Sequence, residues 1–258
     1  MISLREIEKF YPVNLHKFQS FILREYLQYK ILEIIFDSEY SNKLCFLGGT
    51  CLRIVHNNTR FSEDLDFDNF GLTETDFENI AGIILKKLTR EGYEIEIKNV
   101  FSGAYHCYIR FPKLLFQEKI SAHIDQKILI QLDTEPQNFK FNPTKEFLNK
   151  FDVFTSINST PLDILLSQKF YALINRSRKK GRDFFDIIFL LKNTKPNYEY
   201  LHQKLGLNSD KELKEMILQT CEKIDLNEMS KDVEPFLINS SDNKMIKLFL
   251  EYINQIFK

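Results

Sequence analysis

From Leu15 to Tyr40 the apolar residues Phe18, Phe21, Ile22, Leu27, Ile31, Leu32, Ile34 and Ile35 recur mostly at three- and four-residue spacings, which predicts a long amphipathic helix. The apolar run Lys43 to Leu47 ends at Gly48-Gly49. It reads as a buried strand entering a tight turn, with Thr50 placed to cap a helix over CLRIVH. In EDLDFDNF, Leu65 and Phe67 alternate with Asp64, Asp66 and Asp68, and a period of two predicts a strand with its carboxylates on one face. Thr73 to Arg90 returns to helical spacing, with Thr73 or Thr75 as cap and Phe77, Ile80, Ile84, Leu85 and Leu88 as the buried stripe.

Three more alternating runs, Tyr93 to Val100, Tyr105 to Phe111 and Ile128 to Asp133, extend the predicted sheet. Beyond Pro143 the patterns are mainly helical, at Leu162 to Arg178, Arg182 to Lys192, Tyr198 to Leu205, Asp210 to Ile224 and Lys244 to Phe257. The chain is therefore expected to be α+β. A mixed-sheet core with an N-terminal helix fills residues 1–142, and a helical domain fills residues 143–258. With no linker or internal repeat between them, the second is expected to pack against the first and contribute to its cleft.

The 258 residues are 43% hydrophobic and 28% charged with only 8 Gly and 7 Pro, a composition that excludes a disordered or low-complexity chain. The 35 basic and 36 acidic residues nearly cancel, so an anionic partner has to be held by a local patch. Cys45, Cys51, Cys107 and Cys221 form no CxxC pair, which argues for reduced thiols and against a zinc or disulfide framework. The first residues lack the apolar stretch of a signal peptide, and no segment reaches the roughly 20 apolar residues that span a bilayer. A soluble, cytoplasmic chain with no membrane partner is expected.

The chemistry concentrates in Phe46 to Phe70. A Gly48-Gly49-Thr50 turn at a helix start can cradle phosphate oxygens with backbone N–H groups and the Thr50 hydroxyl. Fourteen residues after Thr50 begins the Asp64-x-Asp66 pair, whose carboxylates share a strand face and suit Mg²⁺, a hard cation that bridges triphosphate and nucleophile. Asp133, at the end of its strand, is either a third metal carboxylate or an acid closing an edge. Arg53 and Arg60 either contact phosphate or brace the loop. Ser62 is a loop hydroxyl or a hydrogen-bond partner of the metal site. His56, His106 and His123 lack ligand spacing and read as core or surface histidines.

Further along, Lys169 and Arg176 lie seven residues apart on an otherwise apolar helix, and two such cations need a nearby anion. Arg176, Arg178, Lys179, Lys180 and Arg182 cluster around Gly181 ahead of Asp183 and Asp186. That cluster is either a solvated loop or a set of phosphate contacts. The two acids either complement a helix dipole, with Asp183 paired to Arg176, or do chemistry.

Taken together, GGTCLRIVHNNTRFSEDLDF and QKFYALINRSRKKGRDFFDIIFL resemble the AbiEii/AbiGii nucleotidyltransferases, toxins of type IV abortive-infection systems, to which mycobacterial MenT toxins are similar. The first motif is shared across the DNA polymerase β superfamily; the second is specific to the family. The resemblance covers roughly Cys45 to Leu191, and Thr50 stands where the superfamily usually has Ser. It implies a polymerase-β-like nucleotidyltransferase core with a helical C-terminal part, and Mg²⁺-dependent transfer of a nucleotide from an NTP to the 3′ end of tRNA, which blocks translation. It also implies a cognate antitoxin encoded nearby. By position it gives Gly49 and Thr50 to the triphosphate, Asp64 and Asp66 to metal, and Lys169 to the family's essential lysine. The family's later aspartate falls on Asp183 or Asp186, with Asp183 favoured. The competing readings are a protein hydroxyl or small molecule as acceptor, or a nucleotide-binding module without turnover.

Overall fold

The structure, a computed structural model, describes residues 2–258. The chain divides into two compact units. The first comprises residues 2–56, 61–138 and 142–159; the second comprises 57–60, 139–141 and 160–258.

The first unit holds the helices α1 (Leu4–Glu8), α2 (Gln19–Phe36), α3 (Gly48–Ile54), α4 (Glu74–Arg90) and α5 (Leu114–Gln117). Its strands are β1 (Leu44–Leu47), β2 (Leu65–Asn69), β3 (Glu96–Ser102), β4 (Ala104–Phe111), β5 (Ile128–Glu135), β6 (Thr144–Lys150) and β7 (Val153–Ser159). They form one mixed sheet in the order β3-β4-β5-β2-β1-β7-β6. β1 runs parallel to β7 and β2 parallel to β5, while the other pairs are antiparallel. The pleat sorts β2 as its alternation requires: Leu65 and Phe67 are buried, with Phe67 against Phe36 of α2 at 6.2 Å between ring centroids, and the aspartates point to the opposite face.

Two sequence expectations change here. Residues 143–159 are a β-hairpin and belong with the sheet, so the division of the chain falls after Ser159. The N-terminal helix is buried on nearly all sides from Ile22 to Phe36 instead of along one stripe, and it hides Glu25, Gln28 and Lys30. Each of the three has partners: Arg53 and Lys150 for Glu25, the carbonyls of Ser62 and Glu63 for Gln28, and Glu33, Glu91 and Asp152 for Lys30. Burial alone would raise the Glu25 carboxyl, but Arg53 and Lys150 outweigh it and hold the group below its ordinary value. Thr73 caps α4, accepting from the Asp76 N–H while Asp76 reaches back to the Thr73 N–H.

The second unit is helical: α6 (Leu162–Asn175), α7 (Gly181–Leu191), α8 (Tyr198–Leu205), α9 (Asp210–Cys221), α10 (Leu226–Val233), α11 (Lys244–Lys247) and α12 (Phe249–Ile256). Here α7 packs on α6 and α10. Gly181 begins α7 against α10 so closely that a Cβ would stand 1.9 Å from the Met229 carbonyl oxygen. Among the described residues no helix is long and apolar enough to cross a membrane.

Candidate active site

In the first unit β1 turns into α3 at Gly48, where φ is +80°. Glycine is required there twice over. The left-handed backbone disfavours a side chain, and a Cβ would lie 2.2 Å from Asp66 Oδ2. The Asp66 carboxylate therefore occupies the space against the turn, opposite Leu47 in the β1–β2 register. Gly49 follows in the first turn of α3, buried.

Thr50 does something other than expected. The helix already begins at Gly48, so Thr50 lies within α3 and is not its cap. Its side chain is fully buried, and its hydroxyl donates to the Asp64 backbone carbonyl. That bond ties the start of β2 to α3 and commits the proton the sequence reading offered to phosphate. Asp64 and Asp66 are both partly exposed, whereas Asp68, next along the same face, is buried and accepts from the Gln137 N–H at 2.8 Å.

Across the parallel β2–β5 ladder Asp66 is the register partner of Asp133, and across β4–β5 Asp133 is the partner of His106. Lateral neighbours in a sheet share a face, so the three side chains stand in a row. His106 Nδ1 lies 2.7 Å from Asp133 Oδ1, and Gln131 Nε2 donates to both Asp133 oxygens at 2.8 and 3.0 Å. A carboxylate only accepts, so the His106 proton sits on Nδ1. Asp66, His106 and Asp133 line a pocket of about 190 Å³ with Leu47, Ala104 and Gln137. His106, expected only as a core or surface histidine, thus stands beside the Asp66 and Asp133 pair. Its signal lay in YHCYIRF, where it falls on the face opposite buried Cys107 and Ile109, but only strand order shows what that face meets.

Arg53 and the Ser62 backbone take part in bracing. Arg53 donates to Glu25 at 2.8 Å and lies over the Phe61 ring at 5.1 Å, and the Ser62 carbonyl accepts from Gln28 at 3.1 Å.

In the second unit a buried charge cluster centres on Asp186. Arg60 holds it through two parallel bonds of 2.7 and 2.6 Å, Asn58 donates to it at 2.8 Å, and Lys169 Nζ lies 2.8 Å away. Lys169 is also 3.3 Å from Asp183, whose other oxygen takes Arg176. The Asp186 side chain is 0% exposed, Lys169 14% and Arg176 39%. Burial would raise the Asp186 carboxyl, but Arg60 and Lys169 overcome it and bring the group down to about 2. For Lys169 burial acts downward, yet Asp186 and Asp183 hold the ammonium above its ordinary value.

The anion that Lys169 and Arg176 require is thus supplied by the chain's own Asp183 and Asp186. Arg60, buried and bidentate on Asp186, braces its segment and is not presented to solvent as a phosphate ligand. Three cations (Arg60, Lys169, Arg176) and two carboxylates (Asp183, Asp186) meet in the cluster. Of its acids, Asp183 is the one in contact with the partly exposed Arg176. Arg182 stacks its guanidinium over Phe236 at 4.5 Å, and Lys179 donates to the Ile174 carbonyl at 2.9 Å.

In fold the chain is similar to a candidate nucleotidyltransferase from Helicobacter pylori, at 17% identity over 91% of this chain and 96% of that one, with a TM-score of 0.50. It is also similar to JHP933 from Helicobacter pylori (16% identity, 91% and 94% covered, TM-score 0.49) and to an antigenic nucleotidyltransferase-like protein from Paracoccidioides brasiliensis (16%, 83% and 94%, TM-score 0.45). No curated protein matches it. A mixed sheet that carries a glycine turn against a strand aspartate, followed by a helical part, is the nucleotidyltransferase architecture the sequence led us to expect. Residues 30–251 match the model of the nucleotidyl transferase AbiEii toxins of type IV toxin–antitoxin systems, and the chain belongs to that family.

Proposed function

We propose that this nucleotidyltransferase toxin moves a nucleotide from an NTP to the 3′ end of tRNA with Mg²⁺, releasing pyrophosphate and blocking translation, and that an antitoxin encoded nearby restrains it. The observation that carries this reading is the side-by-side placement of Asp66 and Asp133 in a pocket beside the Gly48 turn. The donor set fits the ion. Mg²⁺ is commonly held by one or two carboxylates plus substrate phosphates, and Asp66 and Asp133 are two carboxylates at one register position of adjacent strands.

Asp66 and Asp133 would hold the ion, and Asp64, one residue ahead of β2, is the further metal carboxylate the family resemblance implies. When bound, Mg²⁺ neutralises charge on the triphosphate and on the entering and leaving oxygens. The tight fit of Asp66 against Gly48 fixes the carboxylate before substrate arrives, which is what catalysis by positioning needs. In this reading Lys169, Arg176 and Asp183 serve the same reaction, as the family resemblance implies. The exposed Arg178 and Lys180 offer salt-sensitive contacts to an RNA backbone.

The test is to incubate the protein with Mg²⁺, each α-labelled NTP in turn and total tRNA, beside Asp66→Ala. Label on tRNA from the wild type alone supports the reading and names the nucleotide. Label on protein moves the acceptor to a protein hydroxyl, and equal labelling by Asp66→Ala removes the site assignment.

A further inference from the structure

We propose that His106 and Gln131 are positioning residues that hold Asp133 so that its Oδ2 is the oxygen offered to the cation. The inference rests on the reading of Asp66 and Asp133 as the metal-binding pair. Two carboxylates at one register position of adjacent strands repel each other when both are charged. A lone aspartate in that place is driven to rotate away from its neighbour. Asp133 is restrained from both sides of its ladder: His106 from β4 donates at 2.7 Å, and Gln131, two residues earlier on β5, donates at 2.8 and 3.0 Å.

The bonds are unequal. Oδ1 receives both His106 and Gln131, whereas Oδ2 receives Gln131 alone, over the longer distance. A carboxylate has about four acceptor positions, so the position left over lies on Oδ2. The His106 and Asp133 side chains are 26% and 29% exposed, so the pair is reachable from the pocket without being loosely solvated. Partners that orient a metal-binding carboxylate from behind typically contribute about 10- to 100-fold to metal affinity or activity. Neither His106 nor Gln131 needs to touch substrate to have that effect.

The experiment measures Mn²⁺ binding to the full chain by electron paramagnetic resonance, with no nucleotide present, for wild type, Asp66→Ala, His106→Leu, His106→Gln and Gln131→Met. Labelled-nucleotide transfer is followed in parallel. The expected result is Mn²⁺ affinity lowered about 10- to 100-fold in His106→Leu, with kcat lowered and the KM for NTP little changed. His106→Gln, which keeps an N–H donor, recovers most of the loss. Wild-type Mn²⁺ affinity in a folded His106→Leu protein, while Asp66→Ala has lost it, overturns this inference and leaves the proposed function standing. Absence of Mn²⁺ binding in the wild type, or unchanged binding in Asp66→Ala, overturns the metal reading itself. Should His106→Leu fail to fold, Gln131→Met decides: unchanged affinity there removes the positioning role.

Discussion

Replacing Gly48 by alanine tests whether the glycine turn exists to seat Asp66. The new Cβ would stand 2.2 Å from Asp66 Oδ2, 2.9 Å from its Cγ and 3.0 Å from its Cβ. The first distance is about 1 Å short of an ordinary non-bonded contact, so the carboxylate has to move by about that much or α3 has to shift. The backbone adds its own cost, because a side chain at φ +80° loses about 1–2 kcal/mol relative to glycine. A displacement of about 1 Å in a catalytic group costs on the order of 100-fold in rate. Gly48→Ala is therefore expected to lower transfer about 100-fold while the melting temperature falls by only several degrees. The assay is labelled-nucleotide transfer beside a thermal melt, with Gly82→Ala as control. Gly82 lies in α4 with nothing within 4 Å of its would-be Cβ, so alanine there should stabilise by about 1 kcal/mol and leave transfer alone. Wild-type transfer by Gly48→Ala would falsify the argument that the turn positions Asp66.

Three further outcomes are expected. Asp186→Ala leaves Arg60 and Asn58 buried without their carboxylate and should destabilise the second unit by about 3–5 kcal/mol, visible in urea denaturation as an early transition; a loss under 1 kcal/mol contradicts the centre assigned to the cluster. The Asp186 carboxyl is lowered in the folded chain from 3.8 to about 2, so its contribution is complete above pH about 4 and is lost as pH falls toward about 2, worth roughly 2 kcal/mol. Over that window Asp186→Asn should lose stability less steeply than the wild type, and parallel slopes would refute the assignment. Gly181→Ala sets a Cβ 1.9 Å from the Met229 carbonyl oxygen, beside the bond from the Gly181 N–H to Asp232 at 2.8 Å. With backbone on both sides, the substitution should cost about 1–3 kcal/mol in thermal unfolding, and an unchanged melt would show that α7 and α10 can separate freely.

What the sequence by itself determined were the features set by near neighbours. The strict alternation of LDFDN made β2 and placed Asp66 and Asp68 on one face, because the pleat has period two. The Thr73 and Asp76 spacing made the start of α4, because both partners of the cap lie within one turn. The pairing of a glycine turn with Asp64 and Asp66 pointed to nucleotidyl transfer, the activity of the family whose model matches, because such a motif resides in residue types and their order.

Only the tertiary structure decided which polar groups are spent on the fold. Thr50 and Arg60 each have side chains suited to phosphate, and nothing local reveals that one is turned to the Asp64 carbonyl and the other to Asp186, 126 residues away. The β6–β7 hairpin escaped the sequence because its turn carries no glycine or asparagine: Phe151 takes φ 61°, a left-handed conformation costly for a bulky residue. Ring contacts to Phe10 at 5.0 Å and to Tyr26 and Tyr29 at 5.3 Å offset that cost. His106 could be placed beside Asp133 only once the sheet order was known. Strand pairing is a long-range choice made by the whole core, and a histidine in an alternating strand looks the same in sequence whichever neighbour that choice gives it.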